Sequence, residues 1–137
     1  MWWIYALLSA LFAALTAIFA KVGIKGVDTD LATAIRTVVI LILAWGIAFF
    51  RGGASTINTL TKHSIIFLCL SGVATGLSWI FYFKALQLGK VSQVAPVDKM
   101  SVAIAIILAV IFLGEPLTMK TAIGALLIIG GTFVLIF

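Results

Sequence analysis

The sequence predicts an all-α membrane protein with five transmembrane helices. Of its 137 residues 64% are apolar, while only nine are Lys or Arg and four are Asp or Glu. A soluble domain carries about a quarter of its residues as charged side chains, so the composition excludes that class. Since a spanning helix needs about 20 apolar residues, the length leaves room for about five. Five is an odd number, and the two ends of the chain are therefore predicted to lie on opposite sides of the membrane.

Charged and turn residues divide the chain into five apolar runs. The runs are continuously apolar rather than alternating, which favours helices over membrane strands. The first run lacks a basic leading segment, so we expect a retained helix and not a cleaved signal peptide. The polar segment 52–62 is predicted to be a loop. Gly114-Glu115-Pro116 is predicted to be a tight turn, because Pro116 prevents the helix from continuing. The predicted helices of this single domain, residues 1–137, span about 2–20, 31–50, 64–86, 94–113 and 119–137.

The basic residues at the ends of the runs do not set a clear orientation. With alternating helices, one side of the membrane holds Arg51, Lys62 and Lys120, and the other holds Lys21, Lys25, Lys84 and Lys90. Counting Arg36 and Lys99 with the second side would favour that side as the cytoplasmic one under the positive-inside rule. The near-even split instead suggests dual topology, in which copies insert both ways.

The charge of +5 is spread along the chain and does not form a nucleic-acid surface. Anionic lipid headgroups are the simpler partner, and Trp2, Trp3 and Tyr5 open the first helix as an interfacial aromatic belt does. We expect no metal, no cofactor and no catalytic residue, since Cys69 has no partner Cys or His and His63 stands alone.

The third helix carries a stripe of hydroxyl groups. Ser71, Thr75, Ser78 and Tyr82 are spaced by four, three and four residues, which places them on one face, with Trp79 and Phe83 on the neighbouring row. This face is the best candidate wall of a polar cavity. Close helix packing is the alternative, and it also explains the small-residue stripe of the fourth helix, which includes Ala105 and Ala109.

Three charges lie within the apolar runs: Arg36, Asp98 and Lys99. A charge at the bilayer centre costs at least about 2.5 kcal/mol, so such groups pair, snorkel or line water. Arg36 and Lys99 have stems long enough to snorkel, whereas the short Asp98 does not. Asp98 could pair with Arg36 or Lys84 from another helix. We predict that Asp98 contacts substrate or couples transport to an ion.

The second half of the chain resembles a known family. Phe-Tyr-Phe-Lys-Ala-Leu at 81–86, Val-Ala-Pro at 94–96, Phe-Leu-Gly-Glu at 112–115 and the glycine-containing run at 124–131 are similar to the EamA domain of the drug/metabolite transporter superfamily. Members commonly have ten helices, built from two five-helix repeats of opposite orientation, and move small metabolites or drugs across the cytoplasmic membrane. The chain is similar to one such repeat.

The resemblance implies a multi-pass protein of the cytoplasmic membrane of a prokaryote. Two copies would form an antiparallel homodimer, which is a ten-helix inverted-repeat bundle. The fourth and last helices would supply the dimer interface, with Gly124, Gly130, Gly131, Ala105 and Ala109 allowing close contact. The expected function is secondary transport of a small polar or amphipathic solute, with proton coupling through Asp98 as a further hypothesis. The alternative is a membrane subunit that does not itself transport and pairs with another five-helix chain. The expected solute contacts are Ser71, Thr75, Ser78, Trp79, Tyr82, Asp98, Lys99 and Arg36.

Overall fold

The computed structural model describes all 137 residues and is helical throughout its regular structure. Five helices are long and apolar enough to cross a membrane, as the sequence predicted, so the chain is a multi-pass membrane protein. They are α1 (Trp2–Gly23), α2 (Thr29–Phe50), α3 (Lys62–Leu88), α4 (Val91–Leu113) and α5 (Met119–Ile136). The first four helices extend slightly beyond the predicted runs, because polar residues at their ends, such as Gln87, continue the helix.

The polar segment after α2 contains a 3₁₀ helix, Gly53–Thr59, where the sequence predicted only a loop. Three hydroxyls in it donate to the backbone carbonyl three residues earlier: Ser55 at 2.6 Å, Thr56 at 2.7 Å and Thr59 at 2.6 Å. Ser and Thr side chains compete for backbone partners in this way, which favours short, tight helical turns over a long helix. The segment therefore connects two spans compactly.

Capping residues fix where two of the helices begin and where α4 ends. Asp28 precedes α2, and its carboxylate accepts hydrogen bonds from the backbone N–H groups of Asp30 and Leu31, both at 3.0 Å. Thr118 accepts from the N–H of Thr121 at the start of α5. Both satisfy donors that the first turn of a helix leaves free. Gly114 ends α4 with a φ of 65°, a conformation that strains residues with a Cβ.

The contacts divide the chain into two compact units, and α1 runs through both. The first, which we call the α2–α3 unit, comprises residues 20–87, and the second, the α4–α5 unit, comprises residues 1–19 and 88–137. In the α2–α3 unit the buried side chains lie at the end of α1, the start of α2 and the end of α3. They are Ala20, Ile24, Thr33, Phe83 and Leu86.

Side chains hold the end of α3 against the connection between α1 and α2. The amide of Gln87 donates to the carbonyls of Ile24 at 3.2 Å and Val27 at 2.6 Å, and the Lys21 ammonium donates to the Leu86 carbonyl. The carbonyls of Val27 and Leu86 lie near helix ends, where backbone partners are lacking. The Ile24 carbonyl also accepts from the Val27 N–H at 3.3 Å. The last turn of α3 is thereby fixed beside the start of α2.

In the α4–α5 unit one hydroxyl of α5 forms a hydrogen bond to the backbone of α4. Thr132 is buried in α5, and its hydroxyl lies 2.8 Å from the Ile128 carbonyl and 3.2 Å from the Pro96 carbonyl. Pro96 sits inside α4 and has no N–H to donate to the preceding turn, which weakens the helix there. The Thr132 hydroxyl thus contacts α4 at its proline.

Most large apolar side chains are exposed, including Phe50 at 95% and Phe112 at 78%. In water such a surface would aggregate, but for a bilayer protein it is the surface that faces lipid or other helices. The buried core is correspondingly small, so hydrogen bonds between helices carry a larger share of the packing specificity.

We expect Gln87→Met to lower the stability of the folded protein by about 1 kcal/mol, because it removes two hydrogen bonds without much change in side-chain volume. Gln93→Met is the matched control, since Gln93 is exposed in the first turn of α4. Thermal unfolding of both variants in detergent measures the difference, and equal melting temperatures would contradict a stabilising role for Gln87.

Candidate functional site

Arg36 brings a charge into the apolar part of the α2–α3 unit. It lies two turns into α2, about 10 Å along the helix from Thr29 at roughly 1.5 Å per residue. Its side chain is half-buried, and its Nη1 atom is buried without a hydrogen-bond partner in the protein. An intramembrane cation in such a position is a candidate functional group, since insertion of a charge there is costly.

Two aromatic rings of α3 hold the Arg36 guanidinium. Its Cζ atom lies 4.2 Å from the centre of the Phe83 ring and 5.6 Å from that of the Trp79 ring. Both distances fall within the range of cation–π attraction, which strengthens where water is excluded. Because Trp79 and Phe83 are four residues apart on one helix, they present their rings along the same row. The site is thus a cation fixed by aromatic side chains.

Tyr82 adds a phenol beside this cluster. It interacts electrostatically with the Arg36 guanidinium, and its ring lies 5.8 Å from that of Phe83. Arg36, Trp79 and Tyr82 are three of the predicted solute-contacting residues, and the structure brings them together. Phe83 belongs to the same cluster but was missed as a site residue, although its position four residues after Trp79 could have indicated it.

The remaining hydroxyl residues of α3 are exposed along the helix. Thr75 donates to the Ser71 carbonyl at 2.9 Å, the local bond that hydroxyls make within helices, and Ser71 and Ser78 are exposed. This surface is open in the isolated chain, so these three residues do not form an enclosed cavity within the α2–α3 unit. Their predicted contact with a solute stays a prediction.

Asp98 and Lys99 form an ion pair in α4, with Nζ and Oδ2 3.1 Å apart. The two side chains are 33% and 58% exposed, respectively, so the pair is accessible rather than buried. The sequence left pairing of Asp98 with Arg36 or Lys84 open, and the observed partner is its own neighbour, Lys99.

The residues predicted for a dimer interface lie on open surface of the α4–α5 unit. A Cβ added at Gly124, Gly130 or Gly131 would meet nothing within 4 Å. Ala105 and Ala109 line a groove of about 350 Å³ that also includes Glu115, Pro116 and Thr121. The glycines are therefore not needed for packing within the chain.

A second cleft, of about 470 Å³, lies at the end of α1 in the α2–α3 unit. Lys21, Ile24, Lys25, Gly26 and Gln87 line it. Lys21 and Gln87 are the side chains that fix α3 to the α1–α2 connection, so part of the polar lining of this cleft is structural.

Comparison with known proteins identifies the family. A model of the EamA-like transporter family matches residues 1–137. The chain belongs to this family. A Sinorhizobium sp protein named "Uncharacterized transporter in cobO 3'region" is 46% identical over 134 residues, which cover 98% of this chain and 95% of that protein. No solved structure matches the chain.

Membership of the EamA-like transporter family confirms the resemblance noted in the sequence. The chain is a half-length member, and its Sinorhizobium relative is of nearly the same length. In a transporter family, a cation within the membrane whose donor has no partner can be interpreted as a solute contact as well as a structural group. Arg36 is therefore the best-defined candidate site residue of this EamA chain.

We expect Phe83→Leu to destabilise the protein by about 1 kcal/mol, since it removes the ring closest to the guanidinium. Phe81→Leu is the matched control, because Phe81 is 69% exposed whereas Phe83 is 1% exposed. Unfolding in detergent by heat or by added SDS compares the two variants. A loss in Phe81→Leu as large as that in Phe83→Leu would remove the special role of the Phe83 ring.

Proposed function

We propose that the protein is a secondary transporter of a small polar or amphipathic solute across the cytoplasmic membrane of a prokaryotic cell, and that it works as a pair of oppositely inserted copies. The observation that carries the proposal is the match of a transporter family to the whole of a chain with five spans. In transporters built from inverted repeats, the solute site lies between two repeats that rock against each other. A single repeat needs a second, inverted unit to recreate that arrangement.

Two features of the chain support pairing with a second copy. The odd number of spans and the near-even distribution of basic residues are compatible with insertion in both orientations. The open glycines of α5 provide a surface where another helix backbone can approach closely. A complete transporter would then contain ten helices, five from each copy.

The proposed solute contacts in the α2–α3 unit are Arg36, Trp79 and Tyr82, together with Ser71, Thr75 and Ser78 on the open face of α3. Aromatic rings suit the apolar part of an amphipathic solute, and the hydroxyls and guanidinium suit its polar part. In the α4–α5 unit we assign proton coupling to Asp98, supported by its position within a spanning helix and by its accessibility, with Lys99 setting the local charge.

Asp98→Asn is expected to reduce proton-driven uptake to the level of protein-free vesicles, because an amide cannot take up and release a proton. The solute is chosen by a thermal-shift screen, in which a ligand of the folded state raises the apparent stability. Uptake is measured in proteoliposomes at matched protein content. Asp30→Asn, in the exposed first turn of α2, is the control. Full activity of Asp98→Asn would remove Asp98 from the coupling mechanism.

Gly131→Leu is expected to shift the protein from dimer to monomer and to abolish transport. A Cβ added at Gly131 meets nothing within 4 Å in the chain, so we attribute a loss to the approach of a second copy. Gly46→Leu in α2 is the matched control, since Gly46 is also unobstructed. Single-molecule photobleaching counts the copies per vesicle. An unchanged dimer in Gly131→Leu would place the interface elsewhere.

Dual topology is tested by the accessibility of tags on the two ends of the chain in intact and permeabilised cells. We expect each tag to be reached in part of the population before permeabilisation. A single orientation for every copy would contradict the proposal. Reconstitution of the purified chain alone tests self-pairing: transport supports the homodimer, whereas transport only with another five-helix chain would indicate a heteromeric partner.

A further inference from the structure

The Arg36 guanidinium has a charge and a buried donor, Nη1, that makes no hydrogen bond within the protein. The carboxylate of Asp98 is paired with Lys99. Between Asp30 and Asp98 the sequence contains no Asp or Glu. The rest of α2 and the whole of α3 therefore supply no carboxylate to Arg36.

A buried donor atom without a partner is unfavourable, because its removal from water is not offset by a hydrogen bond. Snorkelling does not describe this guanidinium well, since it is held against the rings of Phe83 and Trp79 at 4.2 and 5.6 Å instead of extending freely toward the membrane surface. The aromatic contacts attract the cation but accept no conventional hydrogen bond. An external acceptor would complete the site.

The geometry of the guanidinium indicates what that acceptor is. Ring contacts engage the π-system, whereas the N–H donors lie in the plane and point outward from the edge. An oxyanion binds along that edge through parallel N–H···O bonds, which are stronger than neutral hydrogen bonds. The adjacent ring of Trp79, which is half-buried, suits an apolar body attached to the anionic group.

We propose that Arg36 is an anion-recognition residue, and that the solute of this transporter carries a carboxylate or similar oxyanion on a small apolar body. This inference rests on the proposed transport function and names the substrate class at the Arg36 site. The same oxyanion chemistry is present in the phosphate of a lipid headgroup, and the experiment distinguishes the two sources.

The test measures binding of three probes to the full-length protein in detergent by isothermal titration calorimetry. Phenylacetate carries the carboxylate, phenylacetamide is its neutral analogue, and phenethylammonium is a cationic relative. We expect the wild-type protein to bind phenylacetate at least about tenfold more tightly than the other two, as a charge-assisted hydrogen bond predicts. Equal affinities for phenylacetate and phenylacetamide, or no binding of phenylacetate, would overturn the inference.

Variants assign the preference to Arg36. Arg36→Gln should bind the acid and the amide about equally, and Arg36→Lys should retain part of the preference, because it keeps the charge and loses the planar pair of donors. Arg51→Gln is the matched control at the exposed end of α2 and should keep the full preference. Retention of the full preference in Arg36→Gln would overturn the proposal. If that variant does not fold, the wild-type comparison and Arg36→Lys decide.

Two further measurements separate a lipid from a solute as the source of the oxyanion, and anion binding from transport. Displacement of phenylacetate by added phosphatidylglycerol or phosphatidylcholine, both of which carry a phosphate diester, would identify a lipid phosphate as the occupant and overturn the solute assignment. Proteoliposome uptake of the same probes separates this inference from the transport proposal. An Arg36-dependent preference in binding without uptake would leave the anion site standing and count against transport. Uptake of other solutes, without any preference for phenylacetate in binding, would support the transport proposal and count against the anion site.

Discussion

The hydrogen bonds of Gln87 fix the position of α3, and the candidate site depends on that position. In a bilayer, burial of apolar surface gives helices little reason to prefer one arrangement, so polar contacts and close packing decide it. The Gln87 amide joins the last turn of α3 to the carbonyls of Ile24 and Val27, just before α2 begins. One turn of α3 earlier, Phe83 then lies beside Arg36, and Trp79 follows on the same row.

Helix positions could be predicted from the sequence because the signals are local. Apolar runs, the turn at Gly114 and the interruptions by charged residues mark the spans with little dependence on tertiary contacts. The end of α3 was less well predicted, since Lys84 and Gln87 resemble loop residues by composition. The role of Gln87 depends on the carbonyls that its amide meets 60 or more residues away along the chain, such as that of Val27. Spacing along one helix cannot reveal such a partner.

At the candidate site, too, the sequence pattern predicts which residues share a helix face but not which groups they contact. The stripe of Ser71, Thr75, Ser78 and Tyr82 was correctly placed on one face of α3, yet a hydroxyl can bond to its own helix, as Thr75 does. A guanidinium has no such local alternative among apolar neighbours. The feature that distinguishes the site is thus the Nη1 donor of Arg36, which makes no hydrogen bond within the protein. The sequence could suggest the charge but not the lack of a partner for this atom.

The open surface of the α4–α5 unit has a different physical meaning from the apolar surface around it. Large side chains such as Phe112 and Val134 are as well suited to lipid as to protein, so their exposure does not indicate a partner. Glycine gains nothing from contact with lipid, and in the interior of a helix it costs roughly 1 kcal/mol relative to alanine. Gly130 and Gly131 occupy the interior of α5 without any close neighbour in the chain. Close approach of another backbone would offset that cost, which is the physical basis of our proposal that a second copy packs on this face.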